Sequence, residues 1–255
     1  MQSGLLDPLP LWLILPLTVA VALFAVELGY RLAHSRKQRA VPEKESNLGG
    51  MVGGTLGLLA FMLAFTFGLA GSRFEARREI VLSEANAIST TFLRGGMLPE
   101  PMSTDARNLL REYVDVRLQG VQQHKVDEAI AKSEEMHERL WSTAIAATQK
   151  ERSPTTNLFV TSLNDVMVLH ATRLQRVRSR VPEVIWIVLY LLLTLTMVMI
   201  GYQQGLSGSK RSLAVIALVL GFSTVLYLIA DLDRPGRGML HVSQQALVDV
   251  RRLMK

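Results

Sequence analysis

Apolar residues in this chain are pooled into four blocks instead of being spread in stripes. The first runs from Leu9 to Tyr30 and contains a single charge, Glu27. The second is uncharged from Ser46 to Ser72, the third follows Pro182 and stays apolar from Val184 to Tyr202, and the fourth runs from Ser212 to Ala230. Each offers about 19 residues or more, and about 20 at a rise of 1.5 Å cross a hydrocarbon core of roughly 30 Å. Lipid cannot satisfy bare backbone N–H and C=O groups, so the blocks are expected to be helices. Four transmembrane spans are therefore predicted, at 9–30, 48–72, 183–203 and 212–230, with both termini on one side. Pro16 removes a backbone donor inside the first span and is expected to bend it. Pro182 suits the first turn of the third.

Between the second and third spans the pattern changes to helical periodicity with a polar face. Phe159, Leu163, Val166, Met167, His170, Leu174, Val177 and Val181 recur at three- and four-residue spacing, which predicts a helix with one buried stripe. Val126, Ile130, Met136, Leu140, Trp141 and Ile145 predict a second helix less cleanly. A third is expected from the Ser103-Thr104-Asp105 capping cluster through Leu109, Leu110, Tyr113 and Leu118. Breaks are expected at Gly95-Gly96 with Pro99 and Pro101, around Gly120, and at Ser153-Pro154. Nothing between Arg73 and Leu93 stops a helix, so the second span is free to continue out of the membrane. No strand is expected. The predicted architecture is an all-α polytopic membrane protein, with an N-terminal hairpin (1–72), a helical extramembrane domain (73–181), a C-terminal hairpin (182–230) and a tail (231–255).

Composition supports that layout. The 255 residues are 49% hydrophobic and 20% charged, with a formal charge of +6. Much of the basic excess flanks the apolar blocks, where it meets lipid headgroups; it is not gathered on a nucleic-acid recognition face. Arg73, Arg77, Arg78, Arg173, Arg176, Arg178, Arg180, Arg234 and Arg237 lie on the side of the polar region. Arg31, Arg36, Lys37, Arg39, Lys44, Lys210 and Arg211 lie on the other. A plain count favours a cytoplasmic polar region, whereas the short first loop pulls the other way, so charge alone leaves orientation open.

Enzymatic chemistry is thin in the sequence. There is no cysteine, which removes disulfides, thiolate metal sites and cysteine nucleophiles together. The five histidines, His34, His124, His137, His170 and His241, are scattered, and no metal or other cofactor is expected. His170 sits on an apolar stripe and reads as a buried, hydrogen-bonded histidine; His124 and His137 read as solvated helix residues. Gly208-Ser209-Lys210-Arg211-Ser212 lacks the spacing of a phosphate loop, and His137-Glu138 lacks the second histidine of a zinc-protease helix. No enzyme is expected.

Span two is different. Every fourth residue gives Gly53, Gly57, Phe61, Phe65, Leu69 and Arg73, with Gly50, Gly54, Gly57, Ala64, Gly68 and Gly71 on an adjacent line. Glycine disfavours helices, so its density here implies close backbone approach. Two readings follow: a tightly packed helix, or a helix lining a pore whose aromatic rings form a dewetting constriction. At the exit of the fourth span, Asp231-Leu232-Asp233-Arg234-Pro235 could hold a cation or, as the structural reading has it, pair with nearby arginines. Glu84 and Asn86, in the helix leaving span two, could be selectivity groups or tie that helix to the one carrying Asn164 and Asp165.

Four segments, LAFTFGLAGSRFEARRE (63–79), EANAISTTFLRGGMLPEP (84–101), REYVDVRL (111–118) and IADLDRPGRGMLHVS (229–243), resemble the bacterial bestrophin-like family, long described as a domain of unknown function. A more distant resemblance to the true bestrophin anion channels rests on Phe61 and Phe65 followed by Arg73. This resemblance implies a homo-oligomer, pentameric in those channels, with span two lining an anion pore, Phe61 and Phe65 in its neck, and small inorganic anions as cargo. Where those channels carry a third large apolar ring one turn earlier, this chain has Gly57. Their acidic calcium clasp after the last span is also missing, since Asp231 and Asp233 are followed at once by Arg234 and Pro235, and no calcium gating is carried over. The resemblance further implies a bacterial inner-membrane location with the helical domain in the cytoplasm. The other reading that fits the thin chemistry is a non-conducting membrane scaffold or sensor whose helical domain binds a partner.

Overall fold

The computed structural model describes residues 9–37, 45–122, 125–207, 213–234 and 238–255. His124, Arg39, Lys44, Pro235, Arg237 and the 208–212 segment singled out above lie outside them. Among the described residues there are eight α-helices and no strand: α1 (Leu11–Lys37), α2 (Glu45–Gly95), α3 (Met102–Gln122), α4 (Val126–Lys150), α5 (Pro154–Arg178), α6 (Glu183–Ser207), α7 (Leu213–Asp233) and α8 (Gln245–Leu253). Four helical stretches, Leu11–Ser35, Leu48–Gly95, Pro154–Ser207 and Leu213–Asp233, are long and apolar enough to cross a membrane. As the absence of breakers implied, α2 continues past the second span without interruption.

The chain divides into two compact units, Met1–Phe74 with Arg180–Leu240, and Glu75–Ser179 with His241–Lys255. The first unit contains α1, the leading part of α2, α6 and α7. Its core includes Ile14, Ala22, Leu59, Leu63, Leu189, Leu193, Met197 and Leu226. Helices α1 and α6 cross through small residues. A Cβ built on Gly29 would lie 2.0 Å from the Val198 carbonyl oxygen, one on Gly201 1.9 Å from that of Val26, and one on Gly205 2.6 Å from the Ala33 Cβ. Such contact is open only to glycine and brings two backbones together where apolar burial gives no drive between helices in lipid. The Thr18 hydroxyl, 2.7 Å from the Ile14 carbonyl, also meets the Tyr190 hydroxyl at 2.9 Å across this crossing.

The second unit contains the trailing part of α2, α3, α4, α5 and α8 around Ile88, Phe92, Leu110, Tyr113, Leu140, Phe159 and Leu163. Helix α5 begins where Ser153-Pro154 implied: the Ser153 hydroxyl caps the Thr156 amide, and the Thr156 side chain returns the bond to the Ser153 amide. Its buried stripe follows the predicted one through Phe159, Leu163, Val166 and His170. The break expected around Gly120 falls just after it, α3 ending at Gln122 and α4 beginning at Val126, and a Cβ on Gly120 would lie 2.3 Å from the Ala129 Cβ, so this glycine also lets α3 and α4 meet. One expectation is corrected. The buried stripe of α4 is Ala129, Ser133, Met136, His137, Leu140, Ala144 and Ala147, whereas Val126, Trp141 and Ile145 are exposed. Small and polar side chains occupy that interface because the helices approach closely, and apolar periodicity does not register them. Residues 241–255, set apart above as part of a tail, fold into this unit: Arg251 makes a two-pronged pair with Asp115 (2.6 and 3.0 Å), and Arg111 donates to the Met254 carbonyl at 2.7 Å.

Candidate functional site

In the first unit α2 buries one narrow stripe, Val52, Leu59, Leu63, Thr66 and Ala70. The opposite face carries Gly53, Gly57, Phe61 and Phe65 in line, all exposed, with Phe61 66% and Phe65 60% accessible. At Gly50, Gly53, Gly54, Gly57, Gly68 and Gly71 an added Cβ would meet nothing within 4 Å among the described residues. Among the described residues of one chain, then, these six glycines serve no helix contact, and the close crossing of this unit is the one between α1 and α6. Arg73 lies at the end of this unit's stretch of α2, and its Nη1 is buried and bonded to no other group among the described residues.

The end of α7 is buried and polar. Asp231 Oδ1 accepts from the Met239 amide at 2.8 Å, Asp233 Oδ1 accepts from the Val181 amide at 2.8 Å, and Arg234 Nη1 donates to the Leu9 carbonyl at 2.7 Å. Both carboxylates therefore hold backbone donors, Asp231 binding the Met239 amide beyond α7 and Asp233 fixing the residues that lead into α6. Gly238 packs directly on Asp231, since a Cβ on it would fall 1.7 Å from Asp231 Oδ1. Gly238→Ala is expected to break the Asp231–Met239 bond, with a loss of about 1–3 kcal/mol from an unsatisfied buried acceptor and steric conflict. Thermal unfolding in detergent, compared with Ser207→Ala as a surface control, measures it.

The second unit holds a cluster that sequence reasoning only grazed. Glu84 on α2, wholly buried, accepts from Arg173 Nη1 of α5, from Arg117 Nη2 of α3 (3.5 Å to Oε2, with Oε1 3.3 Å away), and from the Tyr113 hydroxyl at 3.0 Å. Through Arg173 it ties α2 to α5, the helix that carries Asn164 and Asp165. Burial raises the Glu84 carboxyl, but the Arg173 and Arg117 guanidiniums outweigh it and hold the carboxyl below its ordinary range. The Tyr113 phenol is driven well up by burial and then by Glu84, so it keeps its proton. Tyr113 oxygen also meets His170 Nδ1 at 3.2 Å. His170 is buried and hydrogen-bonded, as its place on the α5 stripe implied. His137, expected in solvent, is instead buried, its ring 4.8 Å from that of His170 and 5.1 Å from that of Tyr113. Four helices converge here, which is why no spacing along one helix revealed the pair. The available signal was arginine on a buried stripe: Arg117 stands four residues after Tyr113, and Arg173 three after His170. No group of three or more His, Asp or Glu among the described residues could hold a metal.

Comparison with known families matches residues 17–247 to the Bestrophin-like domain. The chain belongs to the bestrophin-like family. Similar solved structures include a bacterial bestrophin homologue from Klebsiella pneumoniae, 14% identical, covering 95% of this chain and 96% of that one with a TM-score of 0.65. A single-substitution variant of that homologue is also 14% identical, covering 96% and 97% with a TM-score of 0.66. At that identity the likeness shows a shared fold. No curated protein matches the chain. The all-α, four-span architecture read from the sequence is thus that of a bestrophin-like membrane protein.

Proposed function

We propose that this bestrophin-like protein assembles as a homo-oligomer, a pentamer by family resemblance, and conducts small anions along an axis lined by the second span. The observation that carries the reading is the face Gly53–Gly57–Phe61–Phe65. A lipid-facing helix gains nothing from glycine, which costs about 1 kcal/mol per residue in a helix interior. Bare glycine together with large exposed rings makes sense where other copies or a narrow water path come against the face. Repeated by symmetry, Phe61 and Phe65 form two apolar rings one helical turn apart, a constriction that conducts when wet and closes when dry. Arg73 supplies a ring of positive charge beyond them, which favours anions. On this reading Asp231, Asp233 and Arg234 shape the membrane exit. The protein sits in the bacterial inner membrane with its helical unit in the cytoplasm, and an impermeant thiol reagent applied to Gly96→Cys tests that orientation.

Purified oligomer in planar bilayers is expected to carry anion current, and Phe61→Ala or Phe65→Ala is expected to raise it severalfold by widening and wetting the neck. A folded oligomer that stays silent, both as wild type and with either ring trimmed, favours a non-conducting scaffold.

A further inference from the structure

The buried cluster of the second unit has a chemical asymmetry that the channel reading does not use. Glu84 is ionised and can only accept, so the single Tyr113 proton goes to Glu84. The Tyr113 oxygen must then accept from His170 Nδ1–H. Neutral His170 therefore presents a bare lone pair at Nε2, buried and bonded to no other group among the described residues. The neighbouring His137 Nε2 is buried and unbonded as well, edge-on to His170. The groups facing this pair are Glu84 from α2, Tyr113 and Arg117 from α3, and Arg173 from α5. Two fixed cations thus already surround one carboxylate, and each proton taken up adds a third or fourth positive charge to a site with no second anion.

The cluster is also tied to the end of the chain. Arg173 uses Nη1 on Glu84 and donates Nη2 to Gln244 Oε1 at 2.9 Å. Gln244 is the residue before α8, the shortest helix of the unit, whose Leu247 and Val250 are buried in the core with Met254 just beyond it. Elements of low local stability open first, and α8, nine residues long, is the shortest helix described in the unit and follows directly on Gln244, the partner of Arg173.

We infer that the His137–His170 pair is a proton-binding site whose protonation releases residues 241–255 from the helical unit. Burial, and then Arg117, hold both imidazoles down at about 4 against the opposing pull of Glu84, with His137 and Arg173 contributing at His170. On this inference, loss of the Gln244 contact to Arg173 opens the cluster to water, where both imidazoles return to about 6.5. The released form accordingly binds more protons between these values. The docked form holds fully above about pH 6.5 and is lost progressively as pH falls toward 4, with docking weakened by up to about a hundredfold per pH unit for two protons. The Arg251–Asp115 pair is present in wild type and variants alike.

Hydrogen exchange of the full-length protein in detergent, corrected for intrinsic rates from pH 7.5 to 4.5, tests this. Amides of α8 are expected to lose more than tenfold protection while those of α4 keep theirs. In His137→Gln/His170→Gln, α8 protection is expected to stay flat. His137→Gln alone, which preserves the Tyr113–His170 bond, should show about half the pH slope, and Gln244→Ala should move the release to higher pH. Protection that is flat in wild type, that falls equally in the double variant, or that is lost from α4 together with α8 would overturn the inference.

Discussion

Glu84→Ala is expected to be the most destabilising single change in the helical unit, at about 3–5 kcal/mol, because it strands Arg117 and Arg173 in a site that water does not reach. The mutation removes one carboxylate but leaves two guanidiniums, with side-chain exposures of 7% and 9%. It also removes the acceptor of the Tyr113 proton, so a buried hydroxyl loses its partner. Glu84→Gln keeps the shape and can still accept bonds, yet it restores no charge, and it should recover less than half of the loss. The ion pairs need not be net stabilising against an apolar replacement. Removing one member is costly, whereas replacing Glu84, Arg117 and Arg173 together with apolar residues is expected to cost less than Glu84→Ala alone. Thermal unfolding by circular dichroism ranks the three, and equal stability of Glu84→Ala and wild type would sink the account of the cluster.

The second large effect lies in the membrane unit. Gly201→Ala is expected to abolish recovery of a single well-behaved species from detergent. Its Cβ would sit 1.9 Å from the Val26 carbonyl oxygen, and that atom is backbone and cannot rotate aside. Helices α1 and α6 would have to separate along the Gly29, Ala33, Gly201 and Gly205 contact, losing dispersion over the whole crossing. Gly29→Ala is expected to behave alike, with Val198 oxygen 2.0 Å from the new carbon. Gly57→Ala is the informative contrast. An added Cβ meets nothing within 4 Å among the described residues of its own chain, so the subunit should fold normally, and any change should appear in assembly or conduction. Size-exclusion profiles of the three variants make the comparison, and a normal profile for Gly201→Ala would contradict the described crossing.

How much of this was legible in the sequence depended on whether the signal was local. The spans could be read because about 20 consecutive apolar residues have one outcome in a bilayer, and α5 because its stripe is apolar. The glycines of span two implied close approach, but periodicity could not say against what, and among the described residues of the membrane unit the close approach is made by Gly29, Gly201 and Gly205. His137 was misread because its stripe on α4 is small and polar, so it looked like a solvent face. Glu84 was noticed but not its partners, which lie 29, 33 and 89 residues away on other helices. Such pairings are written in the tertiary packing of α2, α3 and α5, not in spacing along any one of them. At Asp231 and Asp233 the backbone bonds to Met239 and Val181 were equally invisible to spacing.

The central claim is that ions pass along the α2 face carrying Gly53, Gly57, Phe61 and Phe65. Because the chain has no cysteine, one introduced thiol reports without background. Phe65→Cys protein in planar bilayers, exposed to a charged methanethiosulfonate reagent from the aqueous side, is the most direct measurement. The account predicts an anion current that falls sharply on modification, while Leu220→Cys, exposed on α7, is unaffected. A current that ignores modification at Phe65→Cys, or a folded oligomer that carries none, would contradict it.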